Sequence, residues 1–410
     1  MSKVTYCTNF TENFKFNSYT LNLLMPLSEE NATCCALLSQ LLKRGCEKYG
    51  EMHEIASLLE SLYGASVSIS SDKLGENISF TLQGYFMDNR FAVEEENILE
   101  SVLDLMSQLL LHPMLENGAF RKDFFEQEKN NHVDVIRGMI NDKRTYAIVR
   151  CKEIMFENAP YRFMSNGTLE YLDTLTETKL YEFYRRMLQN STLMVTYIGH
   201  KADIESMTEK YFGQLGGGDV APICVTEKHT PVEVRTVHES FDVAQGKLCL
   251  GLRIMEKTDF YAARLFNVLY GGSPTSKLFM NVREKLSLCY YCSSSFDPLV
   301  QCLFVSSGIE FKNYEVAKEE ILKQLEDMRK GNISEEEFEN GKKYLLDYLK
   351  GAQDSHSVML SEGVRGRMLG IDDSFEEQIE IIKALTIDDI VNVARFVTPD
   401  TVYFLKGMEE

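Results

Sequence analysis

No run of apolar residues in this 410-residue chain reaches the roughly 20 that a membrane-spanning helix requires. The opening segment, MSKVTYCTNFTENFKFNSY, has none of the apolar core of a secretory signal, so a cytoplasmic protein is the expectation. A basic surplus is missing too. Lys and Arg number 43 against 62 Asp and Glu, and a net charge of −19 leaves no clustered cations for nucleic acid or for an anionic membrane surface. A basic or extended peptide stays a permitted partner. Histidine is scarce: of the seven, at positions 53, 112, 132, 200, 229, 238 and 356, no two are four apart, so no helix can turn a His pair toward one metal ion. His53-Glu54 is half of such a pattern, but Ser57 stands where the second His is needed.

The cysteines show no disulfide pattern. Ten of them are scattered along the chain, as reduced core residues would be. Cys34 and Cys35, adjacent on a helix, point about 100° apart and have no neighbouring His to activate them. The C-x-x-C at Cys289 and Cys292 falls in an expected strand, where an offset of three puts the sulfurs on opposite faces and argues against a metal clamp or a redox pair.

What is present is ample apolar material, 44% of residues, in a length that suits two or more domains. Strand patterns cover 19–26, 65–71, 77–86 and 192–199, and helical patterns 32–44, 51–63, 94–111, 120–137, 144–156 and 177–188. Between 216 and 244 the periodicity gives way to Gly, Pro and His, a linker with room for one extended segment. The order then repeats, with strands at 247–254, 288–296, 300–308 and 401–406 and helices at 261–270, 314–329, 334–349, 358–368 and 387–395. Local wording repeats with it: the first half closes on LMVTYIG and the second on TVYFLKG. The expected fold is α+β: two like-folded, sandwich-like domains of antiparallel-rich sheet and helices, at 1–217 and 244–410, joined by 218–243.

The most purposeful stretch is 271–291, GGSPTSKLFMNVREKLSLCYY. Ser273 can cap a helix whose first residue is Pro274, and Leu278, Phe279, Val282 and Leu286 recur at helical spacing as a buried face. A strand follows and ends at the Asp297-Pro298 turn. Arg283 and Tyr290 flank this helix-to-strand junction, where a fixed cation and a phenol can address one ligand; the plainer alternative pairs Arg283 with a carboxylate or a helix-end carbonyl and puts Tyr290 in the core.

Two like halves of this order resemble the pitrilysin or insulinase family of zinc peptidases, above all its two-subunit branch, which includes the mitochondrial processing peptidase. The resemblance spans the chain and is most specific in 271–291 and in LLKRGCEKYGEMHEIASLLESLYGASVS at 41–68. It implies a first-half helix bearing H-x-x-E-H, two His for zinc and a Glu as general base. Here Ala36, Ser39 and Gln40 occupy those places, and none can do that work; a register slipped by one, with Cys35, Leu38 and Ser39, fails equally. The family's third ligand, a Glu, maps to FFEQEKNNHVDVIRGM, where His132 or Asp134 comes nearest. The resemblance also implies an Arg and a Tyr that hold the substrate peptide and its carbonyl, met here by Arg283 and by Tyr290, or by Tyr291 if the strand register slips. The chain is thus expected to be a metal-free, substrate-binding subunit, inactive alone, whose zinc and general base come from a related peptidase chain. The alternatives are a self-dimer or an inert peptide-binding or assembly protein of the same fold.

Overall fold

The computed structural model describes residues 4–93, 97–217 and 233–408. Two five-stranded sheets organise it. The first is built from β1 (Val4–Phe10), β2 (Phe16–Pro26), β3 (Ser66–Leu74), β4 (Asn77–Met87) and β5 (Thr192–Gly199), laid side by side as β1-β5-β2-β4-β3. The second has β6 (Arg235–Phe241), β7 (Gly246–Ile254), β8 (Cys289–Asp297), β9 (Cys302–Ile309) and β10 (Val397–Gly407), laid as β6-β10-β7-β9-β8. Each sheet has one parallel pair, at β1 with β5 and at β6 with β10, and is otherwise antiparallel. Strand for strand the halves share one topology, and the fold is α+β with two like domains.

The central strands show why both sheet faces are covered. Along β7, Leu248, Leu250, Leu252 and Ile254 enter a core shared with helices, while Cys249 joins a second, smaller cluster on the opposite face. That opposite face carries the helix Lys143–Met155: Arg253 donates to the Met155 carbonyl at 2.7 Å and to Asp400 at 2.6 Å, and a Cβ at Gly251 would come within 2.6 Å of the Met155 sulfur.

Compactness divides the chain into two units that are not continuous in sequence. One comprises the described residues within Met1–Gly138, Phe163–Cys224 and Asp354–Gly370, the other those within Met139–Arg162, Val225–Gln353 and Ile371–Glu410. The helix Lys143–Met155 thus belongs to the second unit and the helix His356–Leu369 to the first, where Arg367 donates to the Tyr6 carbonyl at 3.1 Å. The contiguous ranges 1–217 and 244–410 follow the repeat; packing assigns one helix of each half elsewhere. Of the stretch 218–243, residues 218–232 lie outside the described residues, and its extended segment is β6, a full strand of the second sheet. Beyond the expected elements, the structure adds β1 and the helices Leu169–Thr174, Ile204–Phe212 and Phe375–Ala384. Among the described residues no helix is long and apolar enough to cross a membrane.

Candidate functional site

In the first unit the relevant element is the helix Glu29–Leu41. Ser28 caps it by accepting from the Asn31 amide at 3.0 Å, and Glu29 and Glu30 sit in the first turn, where the helix dipole favours acids. A tighter turn, Leu42–Arg44, leads to Gly45, whose φ of +152° and whose closeness to Gly50, with a built Cβ only 2.3 Å from the Gly50 carbonyl oxygen, leave room for no side chain. Within the helix Ala36 and Ser39 are buried, and the Ser39 hydroxyl donates to the Ala36 carbonyl at 2.8 Å. Gln40 is exposed and accepts from Lys43 at 3.3 Å.

The facing helix Lys122–Gly138 brings a buried carboxylate, Glu128, but Arg44 holds it at 2.5 Å and Asn131 donates to its other oxygen at 3.2 Å. His132 is buried and bonds the Asn166 carbonyl at 2.8 Å; burial lowers its pKa. Asp134 faces solvent. These residues do not fit a zinc ion: Ala36 offers no donor atom, the Ser39 hydroxyl is committed to its own helix, and the Glu128 carboxylate is already neutralised. Among the described residues no three His, Cys, Asp or Glu side chains gather as a metal site.

In the second unit, the helix Phe260–Asn267 widens into i→i+5 bonding over Val268–Gly272, and the next helix, Leu278–Lys285, is wound the same way. Such π-helical turns are rare and gather at functional sites. Between them Ser273 accepts from the Ser276 amide at 3.1 Å in a turn, so Ser273 and Pro274 precede the helix instead of starting it, and the Ser276 hydroxyl accepts from the Phe279 amide at 3.4 Å. Leu278 and Val282 are buried as expected, but Leu286 is 44% exposed because it follows the last turn, just before Ser287 turns the chain with φ of +50°.

Arg283 lies 4.6 Å over the Phe279 ring, its side chain 41% exposed, and its one ion pair among the described residues is a 3.5 Å contact with adjacent Glu284. Tyr290 is 66% exposed. The cause is a β-bulge. Cys289 pairs with Ile309 and Tyr291 with Gly308, so Tyr290 is the extra residue and is turned outward. Tyr291 is committed to the sheet: its ring lies 4.2 Å beneath the Arg144 guanidinium, and a Cβ at Gly308 would be 2.5 Å from it. The same bulge corrects the reading of Cys289 and Cys292. Their partners Ile309 and Ser307 are two residues apart, so the two thiols share a face. Nothing in the residue pattern announced the bulge, and Arg144 was legible only as a helix residue.

One unit thus holds a helix whose side chains at positions 36, 39 and 40 offer no metal-binding set, and the other an accessible guanidinium and phenol. The peptidase M16 inactive domain matches residues 174–345. The "Probable inactive metalloprotease YmfF" of Bacillus subtilis is 32% identical over 97% of this chain and 95% of its own length. The same bacterium's "Uncharacterized zinc protease YmxG" is 22% identical over 84% of this chain and 86% of its own. A conserved Enterococcus faecalis protein of known structure superposes with a TM-score of 0.89 at 28% identity, covering 99% of this chain and 97% of that one. The chain belongs to the peptidase M16 family, the pitrilysin or insulinase family, as a member without the zinc-binding motif.

Proposed function

We infer that this chain is the metal-free, substrate-binding subunit of a cytoplasmic zinc peptidase that acts on unfolded or short peptides. A related chain bearing H-x-x-E-H supplies zinc and general base, and Arg283 and Tyr290 bind the peptide backbone and its scissile carbonyl. The observation that carries the reading is that both side chains are accessible: among the described residues Arg283 has one loose ion pair, to Glu284, beside its contact with the Phe279 ring, and Tyr290 is raised out of the strand by the bulge. A purely structural Arg at this place would sit buried in an ion pair. The relatives add support, since one bacterium carries both a relative called inactive and a relative called a zinc protease.

The test is peptide hydrolysis by this chain mixed with a zinc-bearing M16 chain from the same organism, using a quenched fluorescent peptide. Arg283→Ala with Tyr290→Phe is expected to cut turnover by about 100-fold or more, the usual loss when a carbonyl-polarising donor is removed. Unchanged turnover in that double variant would remove Arg283 and Tyr290 from the site and favour an inert assembly protein.

A further inference from the structure

A second chemistry is built into the strand that carries Tyr290. The bulge places Cys289 and Cys292 on one face of β8, opposite Ile309 and Ser307. Cys292 belongs to the apolar core beneath the sheet, whereas Cys289 packs on the rim of that core and is only part-buried. We propose that Cys289 and Cys292 form an oxidisable dithiol, in which Cys289 reacts with a hydroperoxide and Cys292 resolves the product to a disulfide across the Tyr290 bulge.

The surroundings prepare Cys289 for the first step. Its pKa is lowered by a hydrogen bond from the Cys292 thiol, against the opposing effect of burial, with further help from Ser307 and from the positive charge of Arg283. Elsewhere burial drives thiols the other way: Cys34 is pushed up to about 12, and Cys35, Cys46 and Cys302 rise as well. A thiolate is the reacting form, so selectivity follows. The Cys289 thiolate attacks hydrogen peroxide, breaking its O–O bond to give a sulfenic acid and hydroxide. The Cys292 thiol then attacks that sulfur; the S–S bond forms, water leaves, and two thiols have been oxidised as one peroxide is reduced to water. Closing this bond ties together the two ends of the bulge that presents Tyr290. The proposal holds whether or not the chain takes part in peptide hydrolysis.

The experiment uses the intact native protein. Brief iodoacetamide pulses at about pH 7.5 are expected to label Cys289 at least tenfold faster than Cys34, Cys35 or Cys302. Arg283→Ala should slow that labelling several-fold, an effect that fades at alkaline pH where the thiolate forms regardless. Stoichiometric hydrogen peroxide should then give a product about 2 Da lighter whose peptide map joins Cys289 to Cys292 and which dithiothreitol reverses. In Cys292→Ser the same treatment should stop at Cys289 sulfenic acid, trapped by dimedone. Labelling of Cys289 no faster than of the buried thiols, or oxidation of Cys289 to sulfinic acid with Cys292 still free in the native protein, would overturn the proposal; both are read on the wild-type chain and need no variant to fold.

Discussion

At Arg283 a guanidinium rests on an aromatic ring and, among the described residues, holds one neighbouring carboxylate loosely, which uses few of its five donors there. Removing it is therefore expected to cost little stability. Arg283→Ala and Tyr290→Phe should each change the unfolding free energy by less than about 0.5 kcal/mol in urea titrations, as exposed positions do. Glu128 is the opposite case. It is buried against Arg44, and Glu128→Ala leaves a largely buried guanidinium without its counter-charge; a loss of about 1–3 kcal/mol is expected in the same titration. His132 adds a pH dependence. Burial lowers its folded pKa, while in the unfolded chain it protonates at the ordinary value of about 6.5. As pH falls below 6.5 the unfolded state takes up a proton that the folded state resists, so its contribution to stability is present above that pH and is lost as pH falls through the folded pKa. Urea midpoints at about pH 7.5 and 5.5 should differ more for the wild type than for His132→Asn.

At the scale of elements, the end of the helix Lys143–Met155 is fixed by a buried polar knot. Arg253 and Asp400, 8% and 4% exposed, bond each other, and Arg253 also bonds the last carbonyl of that helix. Asp400→Ala should cost about 3–5 kcal/mol, because it leaves a charge buried and unpaired. Hydrogen exchange should then show the helix losing protection ahead of β7. These elements also show what could be read in advance. The strand 192–199 and the helix 314–329 match their expected bounds because the strand is a short, continuously buried and largely apolar run and the helix keeps 3.6-residue spacing throughout. Arg283 was readable as a helix-end residue and Tyr290 as its neighbour across the junction. The bulge that exposes Tyr290 and unites Cys289 with Cys292 was not, since one extra residue changes register without changing composition. The i→i+5 winding of 278–285 escaped for a like reason: its side chains are those of an ordinary helix. Membership of the exchanged helices is a long-range matter, decided by Arg253 and Gly251 on one sheet and by contacts such as Arg367 to Tyr6 on the other.

For the whole molecule, a duplicated M16 fold presents an exposed Tyr290 and a half-exposed Arg283 in its second half, while in its first half Ala36 and Ser39 are buried and Glu128 is paired with Arg44. Restoring His, Glu and His at positions 36, 39 and 40 is expected to destabilise the fold instead of creating a zinc site, because two of the three positions are buried in close packing. Zinc content after metal-free purification and reloading should stay far below one equivalent, and a loaded, stable triple variant would refute that reading of the helix. The central claim, that this chain completes another chain's active site, is tested most directly by titrating a zinc-bearing M16 chain with this one and following hydrolysis of a quenched peptide. The account predicts no turnover from this chain alone and a rate that rises to a plateau at one to one; a rate that this chain leaves unchanged at every ratio would contradict it.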